Sequence, residues 1–140
     1  MGTRSLTFVF ESYKDGDVPI LCLYRQYDGY PEGHGAELAE FLRGNQVVNG
    51  LSLNPGKVFN GMGCLAASLV AHFKKAPGQF YIHAPVLGRD DWQDYEYHIY
   101  ENKIRVVDCR NDKEVIFLGS WESFVEFCSV EETEIGRAHV

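Results

Sequence analysis

The chain has 140 residues, 45% of them hydrophobic, which is enough for the core of one domain. Thirteen basic residues against 20 acidic ones give a net charge of −7, and this argues against general nucleic-acid binding, because phosphate contacts need a basic surface. No apolar run approaches the roughly 20 residues of a membrane-spanning helix, so no membrane partner is expected.

The N-terminal part predicts an antiparallel hairpin. Apolar residues alternate with Ser5 and Thr7 over residues 4–10, a polar turn follows at residues 14–17, and a second strand is expected at residues 20–25. The second strand begins with the unbroken apolar run Ile20-Leu21-Cys22-Leu23. Such a run is typical of a strand that is covered on both faces.

No signal-peptide pattern precedes the first strand. We therefore expect a cytoplasmic protein whose four cysteines are reduced thiols. The cysteines lack CxxC spacing, so a structural zinc site is not expected. No other metal and no cofactor is expected.

The loop YRQYDGYPEGHG, residues 24–35, holds more aromatic and charged side chains than a turn requires. In a functional interpretation its tyrosines stack on a planar ligand, Arg25 binds a phosphate or carboxylate, and His34 titrates near neutrality. In a structural interpretation Arg25 pairs with Asp28, His34 caps the next helix, and the tyrosines cover the edge of the core. Strand alternation sends Tyr24 and Arg25 to opposite faces, so the loop's side chains cannot all converge.

Two helices are expected in the middle of the chain, at residues 33–43 and 60–75, with a loop at residues 45–59 between them. Asn60 is the expected N-cap of the second helix. The side opposite its apolar stripe carries small residues such as Cys64 and Ala67. This pattern predicts a central helix that is packed on two sides.

The start of the second helix, Asn60-Gly61-Met62-Gly63-Cys64, is a candidate anion site, because glycines leave backbone amides accessible there. A cysteine in a first helical turn is also a candidate nucleophile. His72 lies roughly 12 Å from Cys64 along the axis, too far for direct proton transfer. The alternative is that the glycines only allow close packing against the sheet.

The remaining chain predicts a four-stranded meander and a final helix capped by Ser120. The resulting order is β-β-α-α-β-β-β-β-α. It predicts a single α+β domain over residues 1–129, with one mostly antiparallel sheet and helices packed on one face. The four strands of the meander are expected at residues 79–83, 95–100, 103–109 and 114–118.

A third group of polar and aromatic side chains lies at residues 89–98. Strand alternation puts Tyr95 on one face and the Glu96–His98 pair on the other. With His83 and Asp108 that pair would suit a metal if neighbouring strands aligned, whereas the alternative is a solvated face with ordinary cross-strand pairs. The sequence contains no GxxxxGK[ST], GxGxxG or GxSxG motif.

Four segments together resemble a family of small uncharacterised proteins from bacteriophages, large viruses and bacterial genomes. They are MGTRSLT at residues 1–7, the YRQYDGYPEGHG loop, NGMGCLAA at residues 60–67 and WQDYEY at residues 92–97. The resemblance covers the chain to about Cys128 and implies a viral or bacterial origin rather than a particular activity.

The C-terminal residues depart from that resemblance. Residues 134–140 back-translate to a sequence that is similar to a common sequencing adapter. We therefore expect residues 130–140 to be a disordered tail, and residues 134–140 to carry no function.

Three functional hypotheses follow. The first is a cytosolic, phage-encoded binding protein for a small anionic, nucleotide-like ligand, modulating host defence or signalling. The second is a small hydrolase or transferase that uses His34 with Asp28, or Cys64. The third is an inhibitor that binds a host protein through exposed tyrosines. The candidate ligand-binding residues are Arg4, Tyr24, Arg25, Gln26, Tyr27, Asp28, Tyr30, His34, Asn60, Gly61, Gly63, Trp92, Asp94 and Tyr95.

Overall fold

A six-stranded sheet organises the fold. The structure is a computed structural model that describes residues 2–13, 18–48, 50 and 58–138, with side chains described to residue 129. In chain order its elements are β1 (Ser5–Phe10), β2 (Pro19–Arg25), a π-helical turn (Pro31–Gly35), α1 (Ala36–Leu42), β3 (Gln46–Val48), β4 (Val58–Asn60), α2 (Gly61–Phe73), β5 (Phe80–His83), β6 (Tyr95–Tyr100), β7 (Lys103–Asp108), β8 (Glu114–Gly119) and α3 (Trp121–Ala138).

The strand order in the sheet is β5-β2-β1-β6-β7-β8. Of the strand pairs described in this sheet only β1–β6 is parallel, so the predicted mostly antiparallel sheet and the β1–β2 hairpin are confirmed. The predicted meander holds for β6, β7 and β8 but is wrong for β5, which pairs with β2 at the far edge. The long connection at residues 84–94 removes the constraint that a tight turn would place on neighbouring strands.

The three helices pack on one face of the sheet, as predicted, and this gives a single α+β domain. Their apolar side chains and those of the strands form one cluster. Burying apolar surface stabilises the fold by about 25 cal/mol for each Å² that is removed from water. The fully buried members of this cluster include Val9, Ile99, Ile104 and Val106 from the sheet, Leu38 and Leu42 from α1, Leu65 and Leu69 from α2, and Phe124 from α3.

The opposite face of the sheet carries a smaller cluster, formed by Leu6, Phe8, Phe10, Cys22 and Tyr100. Because Cys22 belongs to this cluster and Leu23 to the helix-side one, β2 is covered on both faces there, as its apolar run predicted. Ile20, at the start of the strand, is 38% exposed.

Helix α2 differs from its prediction in two respects. Cys64, Ala67 and Ala71 are exposed, so packing on two sides is wrong; small side chains are compatible with either a buried or a solvated surface. The Asn60 side chain does not cap the helix, because its Oδ1 accepts a hydrogen bond from the Gly50 amide at 2.8 Å.

The last helix begins as predicted. The Ser123 amide donates to Ser120 Oγ at 3.1 Å, which caps α3. Trp121 is buried, and its Nε1 donates to the Tyr100 carbonyl at 3.1 Å, fixing the helix start against the β6–β7 turn.

The segment at residues 45–59, which the sequence assigned to a loop, is only partly described. Residues 45–59 include the short parallel pair β3–β4, so an irregular loop throughout is wrong. Residues 49 and 51–57 and the predicted turn at residues 14–17 lie outside the described residues. The predicted tail at residues 130–140 begins within α3, its side chains lie outside the described residues, and its disorder stays a prediction.

No helix in the described ranges is long and apolar enough to cross a membrane.

Removing the Tyr97 hydroxyl tests how firmly the sheet holds the loop before α1. Tyr97 Oη donates to the Gly29 carbonyl at 2.7 Å, and the Tyr97 side chain is fully buried. Tyr97→Phe deprives that carbonyl of its donor, so we expect a loss of about 1–3 kcal/mol in the free energy of unfolding, measured by urea denaturation.

The matched control is Tyr81→Phe, because Tyr81 is 46% exposed. We expect this variant to lie within about 0.5 kcal/mol of the wild type. Equal losses in the two variants would contradict the role assigned to the Tyr97 hydrogen bond.

Candidate functional site

Two glycines in the loop between β2 and α1 allow close contacts, Gly29 with the start of β1 and Gly33 within the loop itself. A Cβ on Gly29 would lie 2.8 Å from the Arg4 carbonyl carbon and 2.9 Å from the Ser5 amide. A Cβ on Gly33 would lie 2.5 Å from the Asp28 carbonyl oxygen. All three distances are shorter than real Cβ contacts, so a larger residue at Gly29 would push the loop away from β1, and one at Gly33 would distort the loop.

The π-helical turn Pro31–Gly35 directs His34 into the protein. π-Helical geometry is rare and is often found at functional sites. The His34 side chain is fully buried, with its ring centroid 5.0 Å from those of Phe73 and Tyr97. Burial, assisted by the nearby Arg25 charge, lowers the pKa of His34 to about 3. The expectation that His34 titrates near neutrality is therefore wrong.

His34 links β1 to Arg25 through both ring nitrogens. Arg25 Nη1 lies 3.2 Å from His34 Nδ1, and because arginine can only donate, Nδ1 accepts. In the neutral ring the proton is then on Nε2, which donates to Thr7 Oγ1 at 2.7 Å. His34 thus holds the arginine in place and is not free to accept a proton from a substrate.

Arg25 is the charged centre of the site. Its side chain is only 5% exposed, its Nε donates to the Tyr27 carbonyl at 2.6 Å, and its Nη1 forms a salt bridge with Glu37. The guanidinium carbon lies 5.0 Å from the centroid of the Phe80 ring. Nη2 makes no hydrogen bond to the described residues. The alternative of an Arg25–Asp28 pair is wrong, because Glu37 is the partner.

Arg25 lines a surface cavity of about 380 Å³ between α1, the C-terminal end of α2 and the start of β5. Phe73 and Phe80 give it aromatic walls. Lys75 adds a second positive charge, and Glu37 and Glu40 add two negative ones. The described lining residues are Arg25, Glu37, Glu40, His72, Phe73 and residues 75–80.

The other polar residues of the loop lie outside this cavity. Tyr24 is on the opposite face of the sheet, as alternation predicted, and stacks on His83 with ring centroids 4.7 Å apart. Tyr27 and Tyr30 are 48% and 37% exposed. Asp28 Oδ1 accepts from Tyr30 Oη at 3.2 Å. The Gln26 amide donates to the Gln79 carbonyl at 2.9 Å and so ties the loop to one cavity wall.

Residues 92–95 are also separate from the cavity. Asp94 Oδ2 accepts from the Arg4 amide at 3.2 Å, and the Asp94 amide donates back to the Arg4 carbonyl at 2.9 Å. Tyr95 is 5% exposed, and burial raises its pKa to about 12. Trp92 is 79% exposed. Arg4 and Asp94 thus join the start of β1 to the start of β6.

The start of α2 is far from Arg25. Residues His72 and Phe73, which line the cavity, belong to the last turn of α2, and Gly61 belongs to its first. At 1.5 Å per residue these ends are about 18 Å apart. Asn60, Gly61, Gly63 and Cys64 therefore do not share a pocket with Arg25.

The second polar cluster lies on the other face of the sheet. Glu96 accepts from Gln93 Nε2 at 2.8 Å, and its Oε1 lies 3.0 Å from His98 Nε2, as the sequence pairing suggested. Burial opposes ionisation of Glu96, but the hydrogen bonds from His98 and Gln93 outweigh it and lower the pKa of the carboxyl. Burial and the adjacent Glu96 raise the pKa of the Cys109 thiol to about 12.

The histidines of that face do not form a joint site. His83, Cys22, Phe8 and His98 are directly opposite one another on four consecutive strands. Three strand spacings separate the two histidines by about 14 Å. His83 instead lies 2.9 Å from Asp91, which Arg89 also binds. Within the described residues, no group of three His, Cys, Asp or Glu side chains could hold a metal ion.

Among the described lining residues only Arg25 was a sequence candidate. The residues that the sequence analysis missed include Glu37, Lys75 and Phe80 in the cavity, and Thr7, which hydrogen-bonds His34. Thr7 looked like an ordinary polar position of an alternating strand. Glu37 lies on the outer face of the predicted first helix, and an exposed glutamate on a helix gave no functional signal. A buried arginine requires a counter-charge. Had the burial of Arg25 been known from the sequence, it would have prompted a search for a nearby acidic residue.

No family model, curated protein or solved structure matches this chain. What the site can bind is therefore inferred from its own distances, burial and charges.

The pH dependence of stability tests the buried, neutral state of His34. The unfolded histidine titrates near pH 6.5, whereas the folded one has a pKa of about 3. Between these values the unfolded chain binds the extra proton, so stability decreases as the pH falls. Between pH 6.5 and 5 we expect this residue to remove about 2 kcal/mol from the free energy of unfolding.

His34→Gln retains an acceptor for Arg25 and a donor for Thr7 but does not titrate. Its free energy of unfolding is measured in urea at several pH values. Between pH 6.5 and 5 we expect it to fall by about 2 kcal/mol less than that of the wild type. The control is His72→Gln, since His72 is exposed. Parallel pH profiles for the wild type and His34→Gln would rule out a buried neutral His34.

Proposed function

We propose that the protein is a cytosolic, phage-encoded binding protein for a small anionic ligand of nucleotide type, which it holds in the Arg25 cavity. The observation that carries the proposal is the state of Arg25. Its guanidinium is nearly buried, is fixed by Tyr27, His34 and Glu37, and lines a cavity of about 380 Å³.

A buried guanidinium is an expensive way to fill space in a core. Removing a charge from water costs several kcal/mol, which its partners must offset. Here the main counter-charge is Glu37, whose side chain is 53% exposed and therefore retains much of its hydration. A cation that is fixed, partly dehydrated and open to a cavity is well suited to bind a carboxylate or phosphate with two parallel hydrogen bonds.

The size and walls of the cavity favour a nucleotide-sized ligand. Its volume of about 380 Å³ falls within the roughly 300–1,000 Å³ range of small-molecule sites. The rings of Phe73 and Phe80 supply apolar surface for a planar group, and Lys75 lies at the rim as a second cation. A ligand with a flat ring system and an anionic group matches these features.

The cavity favours binding over catalysis. Among its described lining residues there is no serine, threonine or cysteine that could serve as a nucleophile. His34, the closest histidine to Arg25, is neutral and has both ring nitrogens in hydrogen bonds. Asp28 is directed to Tyr30, and Cys64 lies at the opposite end of α2. The residues of the enzymatic alternative are therefore dispersed.

Binding to a host protein is the second candidate function, favoured by Trp92. Trp92 is 79% exposed, and Tyr27, two residues after Arg25 in the sequence, is 48% exposed. Aromatic residues are enriched in protein interfaces. Native mass spectrometry of gently purified protein separates the two candidates, because a retained small molecule supports the cavity and a stoichiometric protein partner supports the surface.

Substitutions at the two cations test the cavity directly. We expect Arg25→Lys to weaken the binding of nucleoside monophosphates at least tenfold, because an ammonium cannot form the paired hydrogen bonds of a guanidinium. Lys75→Ala should weaken binding several-fold without changing the fold, because Lys75 is exposed. Isothermal titration calorimetry with adenosine and guanosine monophosphates measures both effects.

Lys113→Ala is the matched control for charge, since Lys113 is an exposed lysine in the β7–β8 connection. Its affinity should equal that of the wild type. The proposal fails if the wild type binds none of these nucleotides, or if Arg25→Lys and Lys75→Ala both bind as tightly as Lys113→Ala.

A further inference from the structure

We propose that Glu37 makes the Arg25 cavity selective for phosphomonoester dianions over singly charged anions. The inference rests on the proposed function, because it concerns the same cavity. It names the chemical class of the ligand and the residue that determines the selectivity.

Glu37 already occupies the place that a ligand anion would take. Its carboxylate accepts from Arg25 Nη1, so the guanidinium that lines the cavity is paired before any ligand arrives. Arg25 is only 5% exposed and is also held by Tyr27 and His34, whereas the Glu37 side chain is 53% exposed. When an anion enters, the exposed glutamate is the partner that can move into water.

An intramolecular carboxylate is a strong competitor for ligands of its own kind. Tethered groups act at effective concentrations in the millimolar range or above. A ligand with one negative charge offers Arg25 nearly the same interaction that Glu37 already provides, so the exchange yields little free energy. Singly charged carboxylates and phosphodiesters are therefore excluded until their concentration becomes very high.

A phosphomonoester overcomes this competition for two reasons. Above its second pKa of about 6 it carries almost two negative charges and three acceptor oxygens. It can therefore bind Arg25 through two oxygens and present the third to a second cation. Lys75 lines the same cavity and is exposed. Its Nζ donates to the Ala71 carbonyl at 3.2 Å, and an ammonium has two further N–H groups for that contact.

Glu40 provides a matched comparison. It lies on α1 one turn from Glu37, lines the same cavity and is 74% exposed, but its partner is Arg43 at 3.8 Å. Glu37 and Glu40 thus contribute the same charge to the cavity, and only Glu37 contacts Arg25. Any effect specific to Glu37 therefore arises from the contact and not from the general potential.

The experiment compares two ligands of the same base and sugar at pH 8, where phosphomonoesters are dianions. Adenosine 5′-monophosphate and its 3′,5′-cyclic phosphodiester are titrated into the wild type, Glu37→Gln and Glu40→Gln, with the matching guanosine pair alongside. We expect the wild type to bind the monoester at least tenfold more tightly than the diester. In Glu37→Gln the diester should gain affinity, so that the ratio falls below about threefold. Glu40→Gln should strengthen both ligands slightly and keep the wild-type ratio.

Each other outcome is decisive. Wild-type binding with an unchanged ratio in Glu37→Gln overturns the role of Glu37 and leaves the proposed function standing. An equal fall of the ratio in Glu40→Gln assigns the selectivity to general charge and also overturns it. If none of the three proteins binds any of the four nucleotides, the proposed function fails and this inference fails with it.

Discussion

The buried guanidinium of Arg25 is the constraint on which the rest of the site depends. A charge in a low-dielectric interior needs hydrogen bonds and a counter-charge, and here three residues supply them. The Tyr27 carbonyl and the His34 ring belong to the loop before α1, and Glu37 belongs to α1 itself. Satisfying one side chain therefore fixes the loop, the π-helical turn and the first helix relative to β2.

Neutral His34 makes this arrangement consistent. A protonated imidazole would place a second cation beside Arg25 and lose its acceptor, and burial together with Arg25 prevents this. As a neutral ring His34 connects Thr7 on β1 to Arg25 on β2. Its position depends on the close approach of Gly29 and Gly33 to neighbouring backbone. The histidine thus has a positioning role that its sequence context, a polar and aromatic loop, did not distinguish from a catalytic one.

The sheet separates this site from a second polar network of different character. On the far face Glu96 is surrounded by Gln93, His98 and Cys109, while the His98 ring packs against Phe8 and Phe10. Within the described residues His98 Nδ1 has no hydrogen-bond partner. This network joins β6 to the connection before it, and its His98 ring contacts the smaller apolar cluster. It is separate from the Arg25 site, because the two networks lie on opposite faces of the sheet.

By itself the sequence determined the local elements and the faces of their side chains. Alternation predicted the β1–β2 hairpin, the opposite orientations of Tyr24 and Arg25, and the Glu96–His98 pair, because strand periodicity is a local property. Only the tertiary structure decided that β1 pairs in parallel with β6, that β5 pairs with β2, and that Arg25 meets Thr7-bound His34, Glu37 and Phe80. These contacts join segments that are distant in sequence, and they are selected by how the whole core packs, which no local pattern encodes.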